Sequence, residues 1–170
     1  MSVKIRETEP EDAGMLLAYL KQVGSETDHL LIDGNGVPMT ENEEAAFLSK
    51  IKADPGACML AGFLGEELVA VASYQAADNQ RIAHHAELAV SVKKACWGRG
   101  IGNAMIQALI AEAKATGQIR QLHLKVKADN ERAISLYQRL GFVETGRFPA
   151  FFYINGVYKD ALLMHLTLPQ

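Results

Sequence analysis

The sequence predicts a single α/β domain over residues 1–170, and three observations lead there. Runs of apolar–polar alternation, the period of a half-buried strand, are interleaved with segments whose apolar residues recur at helical spacing. Capping and stop signals punctuate those segments. No internal repeat, low-complexity stretch or linker divides the 170 residues, a length sufficient for one domain with a substantial core.

In "VKIRET", Val3 and Ile5 alternate with Lys4 and Arg6, the pattern of a short strand. "TEPE" reads as a helix start, with Thr8 as cap, Pro10 in the first turn and Glu11 three residues on. Leu16, Leu17 and Leu20 carry that helix to a stop at Gly24. "SETDHLLIDGNGVPM" is rich in turn residues and reads as a loop. Thr40 with Glu43 opens a second helix through Phe47, Leu48 and Ile51, which "ADPG" breaks. Three strand-like runs follow, "ACMLAGFL", "ELVAVASYQ" and "IAHHAELAVSV", the first two joined by a tight "GEE" turn and the last two by the polar "AADNQR". A third helix runs from about Ile101 to Thr116, with Gly117 as its stop. "QLHLKVKA" alternates as a strand. Asp129 or Asn130 can cap "NERAISLYQRL", which Gly141 ends. "GFVETGRFP" and "VYKDALLMHLTL" read as two last strands. The order is βααβββ, then α, β, α, β, β.

Hydrophobic residues make up 49% and charged residues 22%, which is ordinary for a globular chain. The net charge of −3 argues against non-specific nucleic-acid binding. Two cysteines, Cys58 and Cys96, are too few for a disulfide framework, and no Cys/His cluster suggests a metal. The N-terminus has no apolar signal core and no run of 18 apolar residues occurs, so no membrane partner is expected and the cytoplasm is the expected compartment.

"ACWGRGIGNAMIQALI" crowds Gly98, Gly100 and Gly102 directly before a helix. A helix N-terminus offers backbone N–H groups without helical partners and the positive end of a dipole. Glycine lets a ligand approach the backbone closely and permits unusual dihedrals. A strand feeding such a turn into a helix is a cradle for phosphate. The plainer alternative is a tight β-to-α turn with no ligand. The dinucleotide fingerprint fails, because Asn103 or Met105 stands where its last glycine belongs, and no nucleotide-triphosphate loop occurs.

With "LHLKVKADNERAISLYQRLGF" following, "SVKKACWGRGIGNAMIQALI" resembles the GCN5-related N-acetyltransferase (GNAT) family. That family's acyl-CoA loop reads [Gln/Arg]-x-x-Gly-x-[Gly/Ala]. Gly100 and Gly102 match its last two fixed positions, and Trp97 departs at the first, which removes one side chain but no backbone N–H. "LYQRLGF" matches the later motif. The resemblance is strong over about residues 82 to 145 and, through element order, extends loosely over the chain. It implies a mixed central sheet of about seven strands flanked by about four helices. It also implies that acetyl-CoA is wedged between the strands ending near Val92 and Val126. Backbone groups of Val90 and Val92 then bond the pantetheine arm like an added strand. The N–H groups of Gly98, Arg99, Gly100, Ile101, Gly102 and Asn103 hold the pyrophosphate.

Attack of an amine on a thioester needs a base for the ammonium proton and an acid for the leaving thiolate. Asn130 and Tyr137 lie about two turns apart on one helix and share a face. The resemblance makes Tyr137 the acid; packing beside Ala133, Ile134 and Leu140 is the alternative. Asn130 either binds the pantetheine arm or is a plain N-cap. Alternation puts Glu87, Ala89 and Ser91 on one face and Leu88, Val90 and Val92 on the other. Glu87 resembles the base, direct or through water, of several GNAT subfamilies; an ammonium anchor or a solvated carboxylate are its alternatives. His84 and His85 lie on the same strand, one of them facing with Glu87, and Asp28 and His29 fall in the loop where the family forms its acceptor pocket. Cys96 is not needed as a nucleophile in direct transfer.

The function expected is transfer of acetyl from acetyl-CoA to a primary amine, on a small molecule or on a protein N-terminus or lysine. The rival is a non-catalytic acyl-CoA-binding sensor on the same fold. "FPAFFYINGVY" is apolar and aromatic enough for a homodimer interface or a pocket wall.

Overall fold

The computed structural model describes residues 1–169. Seven strands and four helices follow one another in the expected order: β1 Lys4–Glu7, α1 Ala13–Glu26, α2 Glu41–Ala53, β2 Ala57–Leu64, β3 Glu67–Ala76, β4 His85–Val92, α3 Ile101–Thr116, β5 Gln121–Lys127, α4 Glu131–Arg139, β6 Val143–Ile154 and β7 Val157–Thr167. They form one mixed sheet in the order β1-β2-β3-β4-β5-β7-β6. Every neighbouring pair is antiparallel except β4 and β5.

Alternation along β2 divides the core. Cys58 and Leu60 point to the face covered by α3 and α4, whose Met105, Ile106, Leu109 and Tyr137 share that cluster. Ala61 and Phe63 point the other way, to Leu16, Tyr19, Val23 and Leu48 of α1 and α2. Helices α1 and α2 pack on β3 and β2, and α1 reaches the end of β4 through Tyr19 Oη, 2.9 Å from Ser91 Oγ; the same face of the start of β4, of β5 and of β7 is left without a helix. No helix among the described residues is long and apolar enough to cross a membrane.

Several boundaries differ from the sequence reading. Thr8 does not cap α1. Its N–H donates to the Met59 carbonyl at 3.0 Å, which extends the pairing of β1 with β2. Asp12 organises the helix entry instead: its carboxylate accepts from Glu9 N–H at 2.7 Å and from both Arg6 Nη atoms at 2.7 and 2.8 Å. A 3-10 turn, Pro10–Asp12, therefore precedes α1. Gly24 does not end that helix; it lies inside it, buried where the 27–40 loop crosses, and an added Cβ would sit 2.1 Å from the Asp33 carbonyl oxygen. Strand β4 starts at His85 because Ile82 N–H closes a turn onto Asn79. Strand β6 continues past Pro149, since the proline falls in a bulge between Phe148 and Phe152 where no ladder N–H is required. Asp160 anchors that bulge through Ala150 N–H at 2.8 Å and Arg147 at 2.7 Å.

Gly24→Ala should destabilise the protein by about 1–3 kcal/mol, the usual cost of forcing atoms into a filled site. The collision is with backbone, which cannot rotate away. A urea denaturation midpoint that stays at the wild-type value would show that the loop moves aside without cost.

Candidate active site

Strands β4 and β5 are bridged only at His85–Gln121, Ala86–Leu122 and Glu87–His123. Beyond that point β4 stays paired with β3 as far as Val92, and β5 stays paired with β7 as far as Lys127. The two strands diverge with free inner edges. His85 accepts from Ala77 N–H and Lys93 N–H donates to Val69, so the odd-numbered residues of β4 turn their backbone groups toward β3. By alternation, Val90 and Val92 turn theirs into the gap. Trp97 Nε1 occupies the Val92 carbonyl at 2.8 Å. Both backbone groups of Val90 and the N–H of Val92 face the cleft.

The glycine loop closes the wide end. Gly98 and Gly100 have φ of 76° and 77°, a left-handed conformation that glycine adopts without penalty. The first bond of α3 runs from Ala104 N–H to Gly100 O, so the N–H groups of Ile101, Gly102 and Asn103 have no helical acceptor. No side chain caps this end and its first turn holds no acidic residue. Helix α2 is the contrast: Thr40 and Glu43 form a capping box and three acidic residues fill its first turn. The end of α3 is left open to an outside anion.

A Cβ on Gly100 would meet nothing within 4 Å, whereas one on Gly102 would press on Leu136 Cδ2 at 3.3 Å. The absence of a side chain at Gly102 therefore serves the close packing of α3 on α4. The Ile101 side chain is buried in the core, so only its N–H is offered. Two basic residues beside the loop went unnoticed in the sequence. Arg132 of α4 lies over the Trp97 ring at 5.2 Å and beside Gly98, and Lys94 lies 6.0 Å from the centre of the same ring. With Arg99 they surround the loop with positive charge. The signal available for Arg132 was its place two residues after the capping Asn130.

Asn130 is the N-cap of α4, its Oδ1 accepting from Ala133 N–H at 3.3 Å. Tyr137, two turns on, is 7% exposed and packs edge-on against Phe142. Burial pushes its phenol up to about 12. Among the described residues its hydroxyl has no hydrogen-bond partner.

The helix-free face carries the charged groups. Glu87 pairs with Lys125 at 2.7 Å, and Lys125 lies 5.8 Å from the centre of the Phe151 ring. Lys127, 3% exposed, holds Asp28 at 3.0 Å and Asp129 at 3.4 Å. The hydrogen bond from Lys127 keeps the Asp28 carboxyl below its ordinary range. It also pins the start of the 27–40 loop to the end of β5. His29, next to it, has a buried Nδ1 without a partner among the described residues. Of the adjacent histidines, His85 shares the Glu87 face, while His84 lies in the turn before the strand. Cys96 is a buried free thiol. Among the described residues no three His, Cys, Asp or Glu side chains are grouped to hold a metal ion.

The chain has relatives among known proteins. The family model "Acetyltransferase (GNAT) family" matches residues 26–142. A GNAT-family acetyltransferase structure from Streptococcus pneumoniae superposes with a TM-score of 0.96 at 33% identity, covering 98% of this chain and all of that one. A putative acetyltransferase from Salmonella typhimurium, solved with its cofactor acetyl-CoA, superposes at 0.87 with 20% identity over all of this chain and 96% of its own, a likeness of fold. A spermidine N(1)-acetyltransferase from Vibrio cholerae is 28% identical over 85 residues, which are 50% of this chain and 49% of that one. The L-methionine sulfoximine/L-methionine sulfone acetyltransferase of Pseudomonas aeruginosa is 38% identical over 74 residues, 42% of this chain and 41% of that one. The chain spans about half the length, or less, of these curated relatives. With the family match over residues 26–142, the diverging β4 and β5 and the open end of α3, the chain belongs to the acetyltransferase (GNAT) family.

Proposed function

We propose that the cleft binds acetyl-CoA and that the protein transfers the acetyl group to a primary amine by direct attack. One observation carries this: the free inner edge of β4 runs toward the uncapped N-terminal end of α3. Val90 and the N–H of Val92 suit a pantetheine arm lying as an added strand. The N–H groups from Gly98 to Asn103, with Arg99, Arg132 and Lys94 beside them, suit the phosphates.

In the reaction the amine nitrogen attacks the thioester carbon, the C–S bond breaks, the thiolate takes a proton from Tyr137, and the second proton that the nitrogen sheds as the amide forms returns to Tyr137. With its phenol at about 12, the hydroxyl remains a donor throughout the neutral range and is lost only as the pH rises through that value. Glu87, on the face open to an acceptor, takes the proton of the ammonium, directly or through water. Asn130 shapes the start of α4 beside the cleft. The rival, a non-catalytic acyl-CoA sensor, would bind the ligand without turnover.

The amine class agrees with relatives named for spermidine and for methionine sulfoximine. The two buried free thiols suit a reducing compartment such as the cytoplasm. The hairpin of β6 and β7 exposes Phe148, Tyr153, Val157 and Tyr158, which supports a homodimer contact there.

A thiol-release assay with acetyl-CoA over a panel of amines tests the enzyme reading; tight binding without thiol release by any amine would favour the sensor. Gly100→Val should weaken acetyl-CoA at least tenfold, roughly 1.4 kcal/mol, and Arg132→Ala should weaken it more at low salt than at high salt. Calorimetry giving wild-type affinity in folded variants would remove the phosphate cradle.

Tyr137→Phe should lower turnover by about 10²–10⁴-fold with little change in acetyl-CoA affinity. Full turnover would return Tyr137 to a packing role. Glu87→Gln should depress the rate at neutral pH, and the loss should shrink as pH approaches the amine's own pKa, near ~10.4 for a lysine-like acceptor. A loss by one constant factor at every pH would make Glu87 a positioning residue.

A further inference from the structure

Transfer from an ammonium to a thioester yields an amide, a thiol and one free proton. That proton has to leave the cleft at every turnover. Glu87 is a poor place for it to stay, because its carboxylate is held by Lys125 at 2.7 Å.

Beside Glu87, where β4 and β5 part, three imidazoles from three adjacent strands stand in a row on the helix-free face. His123 of β5 is the register partner of Glu87 in the parallel bridge and of His165 in β7. His85 of β4 puts its Nδ1 3.3 Å from His123 Nε2. The His85 and His123 ring centres are 5.2 Å apart, and those of His123 and His165 are 5.8 Å apart. At the far end His165 Nδ1 hydrogen-bonds the hydroxyl of exposed Thr145 of β6. His84 packs edge-on against His85 from the turn before β4.

The charged and titratable groups around the middle ring are Glu87 and His85 on β4, Lys125 on β5 and His165 on β7. Burial holds the His123 imidazole below the usual histidine range; Glu87 opposes that, and His85, His165 and Lys125 reinforce it. A neutral imidazole accepts at one nitrogen and donates at the other, so adjacent rings can hand a proton along. Repulsion between neighbouring imidazolium ions opposes a second proton on the row.

We propose that the row His85–His123–His165 is the proton exit of the active site. This rests on Glu87 as the base. The N–H bond of the ammonium breaks and an O–H bond forms on Glu87. That bond breaks as His123 gains the proton, and His123 releases it through its neighbouring rings to solvent. One proton crosses per turnover, no electrons are transferred, and the row returns to its starting state.

His123→Gln keeps a polar side chain and removes the titration. With an acceptor found in the thiol-release assay, this variant should lose about tenfold in kcat at neutral pH, with acetyl-CoA affinity unchanged. Added imidazole or a rise in pH should restore much of the loss, which a packing defect would not allow. Glu87→Gln/His123→Gln should fall no further than Glu87→Gln alone. Wild-type kcat in His123→Gln beside an impaired Glu87→Gln overturns the exit and leaves the base standing. An impaired His123→Gln beside a normal Glu87→Gln sinks the base instead, and leaves the row taking the proton from the amine itself. Additive losses in the double variant overturn a shared path. His165→Gln, at the outer end of the row, gives a milder second variant should His123→Gln fold poorly. An NMR titration of the three rings needs no acceptor: coupled curves are expected, and three independent ones would overturn the row as a connected path.

Discussion

Three residue pairs, His85–Gln121, Ala86–Leu122 and Glu87–His123, are the whole of the ladder between β4 and β5. After them each strand stays tied to its outer neighbour, so the inner edges cannot close on one another. An unpaired strand edge is usually a liability, open to pairing with another chain. Here it lies inside a cleft, bounded by the glycine loop at one end and by the histidine row at the other. The position of the last bridge decides what the cleft contains, because Glu87 and His123 are the residues at which it opens.

Helices α2 and α3, on opposite faces of the sheet, are finished differently at their N-termini. Helix α2 satisfies its own first turn with Thr40, Glu43 and a set of acidic side chains. Helix α3 begins at a left-handed glycine with no capping side chain and no acid. A cap is typically worth about 1 kcal/mol, and α3 forgoes it at its N-terminus. Its stability comes from Ile101, Met105, Ile106 and Leu109, all buried in the larger core cluster. Packing holds the helix while its first N–H groups stay available.

Burial of Lys127 follows a similar logic. An ammonium taken out of water costs several kcal/mol unless it is paired. Asp28 and Asp129 both reach it, and Asp129 also meets Lys159 of β7. The result is a fixed link between the 27–40 loop, the end of β5 and the last hairpin, three segments distant in sequence.

The local patterns were legible in the sequence. The helix Ile101–Thr116, the Thr40–Glu43 box, the alternation of β2 and β5 and the glycine loop all follow from interactions among residues near one another in the chain. Thr8 and Gly24 were misread because their partners, Met59 and Asp33, lie in other segments. The packing of Gly102 against Leu136 was not legible either, because Leu136 lies on another helix. The Glu87–Lys125 pair, the burial of Lys127, the approach of Arg132 to Trp97 and the histidine row all depend on strand order and register. By itself the sequence determined the elements and the glycine turn before α3, because short-range hydrogen bonding and periodicity encode them. Only the tertiary structure decided which charges meet across the sheet, because strands far apart in the chain become neighbours through packing that no local pattern specifies.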